Sequence, residues 1–318
     1  MKNLSLGSLI HRAKSRITFD RTGFEEPFVK PKTSDQLQKL TNEIRGADRK
    51  PAIMLHGVMP RSGTNYLANL LSLHPDLFSY PHEIWEFPVL HSVGELNRFE
   101  RTYFSFYKKN REKIESSTFH ALVGAVFMRY LYSDITSDQH ALLKVPSVRY
   151  LNNFDVMFPN ENLIILIRDG RDVVSSYQNT FNQKPWWKRK TFGSVCKRWK
   201  ISAQMAMSAA KYYGNSSKCL FVRYEDVVDD PSAFIGKVCE KFNLDFSVYP
   251  VNEIHTLGVK GSSTIKENGA VTWETKAKPR GFNPVGRWSN WSSAERATFK
   301  RIAGEMLIDC GYSDDANW

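Results

Sequence analysis

Arg61, Ser62, Gly63, Thr64 and Asn65 put a guanidinium, two hydroxyls, a carboxamide and a glycine at consecutive positions. These types suit one task, holding an oxyanion. The guanidinium offers a rigid fork of donors, the hydroxyls add rotatable ones, and the glycine lets backbone N–H groups approach the ligand. A second group stands further along the chain. Arg168 and Ser176 lie eight positions apart, about two helical turns, which brings them to one side. Two oxyanion holders in one chain imply a ligand charged at both ends.

Each group follows a strand signal. Ala52, Ile53, Met54 and Leu55 form a short apolar run, then comes the loop Gly57–Thr64, then Tyr66, Leu67, Leu70 and Leu71 at helical spacing. Strand, glycine-bearing loop and helix start aim free N–H groups at a phosphate. Leu163 to Ile167 are continuously apolar and mostly β-branched, which suits a strand buried on both faces of a parallel sheet. Arg168 ends it, and Asp169 is the expected N-cap of a helix carrying Val173, Val174 and Tyr177. Ligands of open α/β sheets bind at the carboxyl ends of the strands. Arg171 and Asp172 are expected to do no more than form surface ion pairs. The first loop lacks the Gly-Lys-Ser/Thr ending of a kinase-type phosphate loop, and Arg61 stands before its turn instead.

The remaining elements follow the same logic. Residues 20–50 read as an extended leading segment with one short helix, Asp35 to Arg45. Residues 74–118 read as irregular and aromatic-rich. Further helices are expected at Phe119–Tyr132, Ser147–Met157, Phe192–Tyr213, Ser232–Phe242 and Ser292–Cys310, the last capped by Ser292 or Ser293 with Glu295 nearby. Strands are expected at His140–Val145 and Lys218–Arg223. In the long helix Cys196, Trp199, Met205 and Met207 read as core. Residues 258–290, rich in Gly, Ser, Lys and Pro, read as a functional loop. The expected fold is α/β, a three-layer P-loop-like fold with a central parallel β-sheet flanked by helices. Residues 1–50 form its N-terminal arm and short helix, and 51–318 its main domain.

Hydrophobic residues make up 42% and charged residues 24%, enough for a true core. The formal net charge of +11 attracts anionic partners, nucleotide and nucleic acid alike. The four cysteines show neither a CxxC pair nor zinc spacing, so reduced thiols and no metal are expected. No apolar run reaches the ~20 residues of a membrane span. Leu4, Leu6, Leu9 and Ile10 beside Lys14 and Arg16 leave peripheral membrane contact open, although an arm packed on its own protein is the stronger expectation.

PRSGT after a strand, then Leu143-Lys144-Val145-Pro146, then IRDGRDVVSS, in this order, resembles the sulfotransferase family, most closely its tyrosylprotein and carbohydrate-type branches, over residues 51 to about 290. The resemblance implies 3′-phosphoadenosine 5′-phosphosulfate (PAPS) as donor and 3′,5′-adenosine bisphosphate (PAP) as product. It implies that the first loop holds the phosphosulfate, that Arg168 and Ser176 hold the 3′-phosphate, and that Lys144 steadies the leaving oxygen with help from Arg61. Tyr224, Ser263, Thr264 and Arg287 complete the donor site by the same resemblance. Two departures stand out. Thr180 occupies the region where the tyrosylprotein branch carries a further arginine, and Asn65 replaces a common threonine, so phosphate contacts are expected either to be thinner or to be supplied by Lys260, Lys266 or Arg287.

Sulfuryl transfer to a hydroxyl needs positioning, a cation at the departing oxygen, and a base for the acceptor proton. The transferred group carries less charge than a phosphoryl, so no metal is demanded. The resemblance places the base after His74-Pro75-Asp76, where Glu83 is preferred, then His82, then Glu86. The acceptor is expected on a carbohydrate, glycolipid or small molecule, with tyrosine also open, and Trp186 and Trp187 are candidates to line its pocket. Eukaryotic members acting on proteins or glycans usually carry a Golgi anchor, and without one here a cytoplasmic enzyme is expected. Two other readings compete. A P-loop kinase lacks its loop lysine here. A non-catalytic nucleic-acid binder predicts basic stripes and stacking motifs that this chain does not show.

Overall fold

The computed structural model describes residues 23–24, 26–30, 32–106, 108–181, 190–267 and 270–318. Leu4, Leu6, Leu9, Ile10, Lys14 and Arg16, and likewise Trp186 and Trp187, lie outside the described residues. Five parallel strands form the central sheet: β1 (Ile53–Gly57), β2 (Leu77–Ser79), β3 (His140–Val145), β4 (Asn162–Ile167) and β5 (Cys219–Arg223). Their spatial order is β2-β3-β1-β4-β5. Ten α-helices are described: α1 (Asp35–Arg45), α2 (Thr64–Leu71), α3 (Val93–Phe106), α4 (Thr118–Tyr132), α5 (Phe154–Met157), α6 (Gly170–Phe181), α7 (Phe192–Tyr213), α8 (Tyr224–Asp229), α9 (Pro231–Phe242) and α10 (Ser293–Asp309).

Strand side chains alternate between two faces, and the two cores obey that alternation. Met54, Leu143, Leu163, Ile165 and Ile167 join Met128 of α4, Trp199 of α7 and Phe299 of α10. Ile53, Leu55, Leu142, Ile164 and Leu166 join Leu67 and Leu70 of α2 and Phe234 and Ile235 of α9. The result is the expected three layers, with both faces of β1, β3 and β4 covered. Because β1 is central, the chain runs from it to one side through β2 and β3 and then crosses to the other side for β4. The loops after β1 and β4 therefore meet at the switch point where such sheets bind ligands.

Several local expectations are corrected. Residues 74–118 are not wholly irregular, since β2 pairs with β3 and α3 runs for 14 residues. Only Val93 and Phe104 of α3 are buried, so few of its side chains join the core. The helix expected over Ser147–Met157 is reduced to a 3-10 turn at Leu151–Asn153 and the short α5. Tyr150 interrupts it with φ 58°, its N–H bonded to Gly23 O at 2.7 Å. The segment 258–290 contains two short antiparallel ladders, Val259–Lys260 with Thr275–Lys276 and Lys266–Glu267 with Ala270–Val271. The α10 cap is the expected one, with Ser292 and Glu295 satisfying each other's backbone N–H groups.

A buried polar knot ties α1 and α4 to the base of the sheet. Glu161 accepts from Arg45, from Ala52 N at 2.5 Å and from the Tyr132 hydroxyl at 2.8 Å. Arg45 and Glu161 are both buried. Removing one member of such a pair strands the other without compensation. Glu161→Ala is expected to lower unfolding stability in urea by about 3–5 kcal/mol; a loss below about 1 kcal/mol, within the range of exposed pairs, would show that the knot does not hold these elements.

Candidate active site

The loop after β1 is folded tightly against its own strand. A Cβ on Gly57 would lie 2.3 Å from Ser62 Oγ. Gly63 takes φ 101°, and a Cβ there would lie 2.3 Å from the Tyr224 ring. Only glycine allows both that backbone and that approach. Arg61 also takes a left-handed φ of 85°. No side chain caps α2, so the first N–H groups of the helix are left for a ligand.

The two anion groups meet in one cavity of about 540 Å³. Arg61, Gly63, Thr64, Asn65, Arg168, Ser176, Tyr224 and Arg287 line it. Arg61 Nε donates to Ser176 Oγ at 3.1 Å, so the first loop is joined directly to the second site. Ser176 Oγ lies 3.2 Å from Ser263 Oγ, to which Arg287 donates at 3.4 Å. Arg168 donates to the carbonyls of Arg61 and Pro284 and lies 4.4 Å from the Tyr224 ring centre. Its buried Nε has no hydrogen-bond partner among the described residues.

Three of the expected donor residues are not part of the lining of this cavity. Ser62 is fully buried, its hydroxyl unpartnered among the described residues. Ser263 Oγ is hydrogen-bonded to Ser176 and Arg287. Thr264 shares a hydrogen bond of 2.9 Å with Ser262, which does reach the cavity. Thr180, where a further arginine was looked for, bonds back to Ser176 O at 2.7 Å. The third guanidinium of the cluster is that of Arg287; Lys260 lines the cavity too, and Lys266 is exposed away from its lining.

Burial, with repulsion from Arg168 and Arg287, lowers the Arg61 guanidinium to about 10. Burial and Arg168 also lower Arg287. These groups are destabilised as cations where they stand, and an anion between them reverses the sign of that effect.

Arg171 and Asp172 correct the expectation of surface ion pairs, because both are buried. Asp172 accepts from Gly286 N at 2.8 Å and Arg287 N at 2.6 Å, fixing the backbone that carries Arg287. Arg171 pairs with Asp169 at 2.7 Å and lies between the rings of Trp288 (4.1 Å) and Trp318 (4.7 Å). Asp169 Oδ1 accepts from Arg171 N at 2.8 Å, the N-cap bond expected of it. Nothing in the sequence announces that Trp318 returns to this place.

Lys144 lies near the end of β3, beside Leu55 of β1. It is outside the cavity lining and joins it through Trp85 and Lys260. Its Nζ is 4.3 Å from the Trp85 ring centre, and Lys260 Nζ is 3.8 Å from the same ring. Glu86 Oε1 stands 3.7 Å from Lys144 Nζ, too far for a hydrogen bond but close enough for an ion pair. Burial brings the Lys144 ammonium down to about 8, against the pull of Glu86 and with a smaller push from Lys260. Of the other base candidates, His82 is turned onto α4, stacked on Tyr130 at 4.2 Å with Nε2 2.8 Å from Tyr130 O. Glu83 is exposed. Tyr80, His82 and Glu83 all take positive φ (60°, 52° and 59°), a concentration of backbone strain beside Lys144.

Comparison with known proteins supplies the context. A model of the sulfotransferase family matches residues 51–248. The chain is 20% identical over 276 residues to protein-tyrosine sulfotransferase A of Caenorhabditis elegans, covering 86% of this chain and 70% of that protein. It is 21% identical over 293 residues to protein-tyrosine sulfotransferase 2 of Gallus gallus, covering 86% and 73%. The sulfotransferase domain from the Synechococcus PCC 7002 olefin synthase shares its fold, with TM-score 0.51 and 16% identity over 91% of this chain and 99% of that one.

The clamp on Arg287 is testable by calorimetry. Asp172→Asn is expected to weaken PAP binding about tenfold, the scale of a lost hydrogen bond to a charged group, and Trp318→Ala to weaken it about threefold, the scale of a lost cation–π contact, while adenosine 5′-monophosphate binding changes little. Equal losses for both nucleotides would contradict this role.

Proposed function

This chain belongs to the sulfotransferase family and is an enzyme of PAPS-dependent sulfuryl transfer; we propose that the cavity around Arg61, Arg168 and Arg287 is its donor site and that Lys144 and Glu83 serve the reaction. The carrying observation is the convergence of three guanidinium groups, with Arg168 Nε left orphaned, beside the glycine cradle of α2. That donor set fits a nucleotide with phosphate at both ends. Bound PAPS supplies an activated sulfuryl group and leaves as PAP.

The chain's own residues then divide the work. Arg168, Arg287 and Ser176, backed by Ser263, hold the 3′-phosphate, and the N–H groups of Gly63, Thr64 and Asn65 hold the 5′ end. Arg61, bonded to Ser176 yet carried by the first loop, serves both. Tyr224 closes the nucleotide side against Gly63. Protonated Lys144 provides positive charge where oxygen charge develops. Glu86 keeps that lysine charged, and Glu83, facing solvent, accepts the acceptor proton. The acceptor is a hydroxyl, on tyrosine or on a carbohydrate, glycolipid or small metabolite; the names of the two curated relatives support the first.

The pH profile tests these roles, because kcat/KM reports groups of the free enzyme. Lys144 acts as a cation, so kcat/KM is expected to fall above pH about 8 as it loses its proton. Glu86 raises the Lys144 pKa, so Glu86→Gln should move that limb to lower pH. Lys144→Ala should remove it and cut kcat on the order of 10²–10³-fold, with PAP affinity retained. An alkaline limb unchanged in Lys144→Ala would remove the lysine from the chemistry. Glu83→Gln should cut kcat on the order of 10²-fold or more with PAP affinity retained; wild-type turnover in that variant would assign the proton to another group.

A further inference from the structure

Five of the eleven large apolar side chains exposed among the described residues lie on two adjacent helices: Phe99 and Phe106 of α3, and Val126, Phe127 and Tyr130 of α4. Ring contacts tie the exposed aromatics of each helix to their neighbours. Phe99 meets Phe119 of α4 edge-on at 5.3 Å, and Phe127 meets Phe87 at 6.0 Å. Positions 119, 123, 126, 127 and 130 share one helix face. Phe106 is 76% exposed and Phe99 55%, and a contiguous patch of this kind marks an interaction surface.

Its border has a charge. Residues 98–113 carry six basic side chains (Arg98, Arg101, Lys108, Lys109, Arg111 and Lys113) against Glu100 and Glu112. All six basic residues are exposed. Arg111 lies 5.4 Å from the Phe104 ring centre, which anchors the basic turn at the end of α3. Two copies of this face would set like charges against each other. Aromatic side chains at headgroup depth, collared by lysine and arginine, instead match an anionic lipid surface, where each basic residue adds attraction.

We propose that the α3–α4 face docks this protein on an anionic membrane surface. The face borders the strained segment 80–87 through Phe87 and the His82–Tyr130 stack. Docking turns Glu83 and Glu86 toward the lipid and favours an acceptor borne there; only this corollary rests on the proposed active site.

Co-sedimentation of the full chain with phosphatidylcholine vesicles, with and without phosphatidylglycerol, tests the docking. Wild type is expected to bind the anionic vesicles at least about tenfold better than the neutral ones. The paired substitutions Phe99→Ser/Phe106→Ser and Lys108→Glu/Lys109→Glu should each weaken that binding about tenfold, while thermal stabilisation by PAP stays at the wild-type level and so reports an intact fold. Equal binding to both vesicle types, or variants that bind like wild type, would overturn the proposal. So would concentration-dependent self-association abolished by Phe99→Ser/Phe106→Ser without vesicle binding, which assigns the face to a second copy. Vesicle binding without any response to PAP would instead overturn the donor-site reading and leave docking standing.

Discussion

Three guanidinium groups sharing one largely buried cavity repel one another and have lost much of their water. Arg61, Arg168 and Arg287 are held in that state by neutral acceptors: the carbonyls of Gly261, Arg61, Pro284 and Asn283, and the hydroxyls of Ser176 and Ser263. Such partners satisfy N–H groups without cancelling charge. Among the described carboxylates near the cluster, Asp172 spends both oxygens on the backbone of Gly286 and Arg287, and Glu225 accepts from Asp169 N and the Tyr312 hydroxyl. The cluster is therefore preorganised for an anion that arrives from outside, and most of the surrounding architecture keeps it assembled.

The sheet does the first part of that work. Central β1 and its neighbour β4 deliver Arg61 and Arg168 to the same edge, and the tight glycine positions let loop, strand and Tyr224 occupy almost the same space. The far end of the chain does the second part. The residues after α10 return to clasp Arg171 through the Tyr312 carbonyl and the Trp318 ring, and its other aromatic neighbour is Trp288, next to Arg287 in sequence. The arginine cluster is thus coupled to the packing of the C-terminal residues, although none of α10 lines the cavity.

Four of the five sheet strands were legible, most clearly where burial on both faces leaves uninterrupted apolar runs such as Leu163–Ile167, and β3 and α7 fall at the expected residues; the three-residue β2 was not. The first turn of α6 was legible from Asp169 alone. Helix α3 was hidden because it buries only two side chains, and the break before α5 was hidden because Tyr150 adopts a left-handed backbone that its type does not advertise. In the site, local motifs marked residues presented by strand ends and helix starts. Asp172, Trp288 and Trp318 act across long sequence separations, and a single sequence carries no trace of that pairing. The geometry also redistributes roles within the segment 80–86: His82 is committed to α4, while Glu86, third in preference, is the carboxylate beside Lys144.

Thermal unfolding in the presence of PAP, compared with ATP and Mg2+, tests the central claim most directly, since a ligand that binds only the native state stabilises it by about 2.7 kcal/mol at a hundredfold excess over its Kd. The arginine cluster predicts a clear rise in Tm with PAP and little change with ATP and Mg2+. No rise with PAP, or an equal rise with both, would contradict the account.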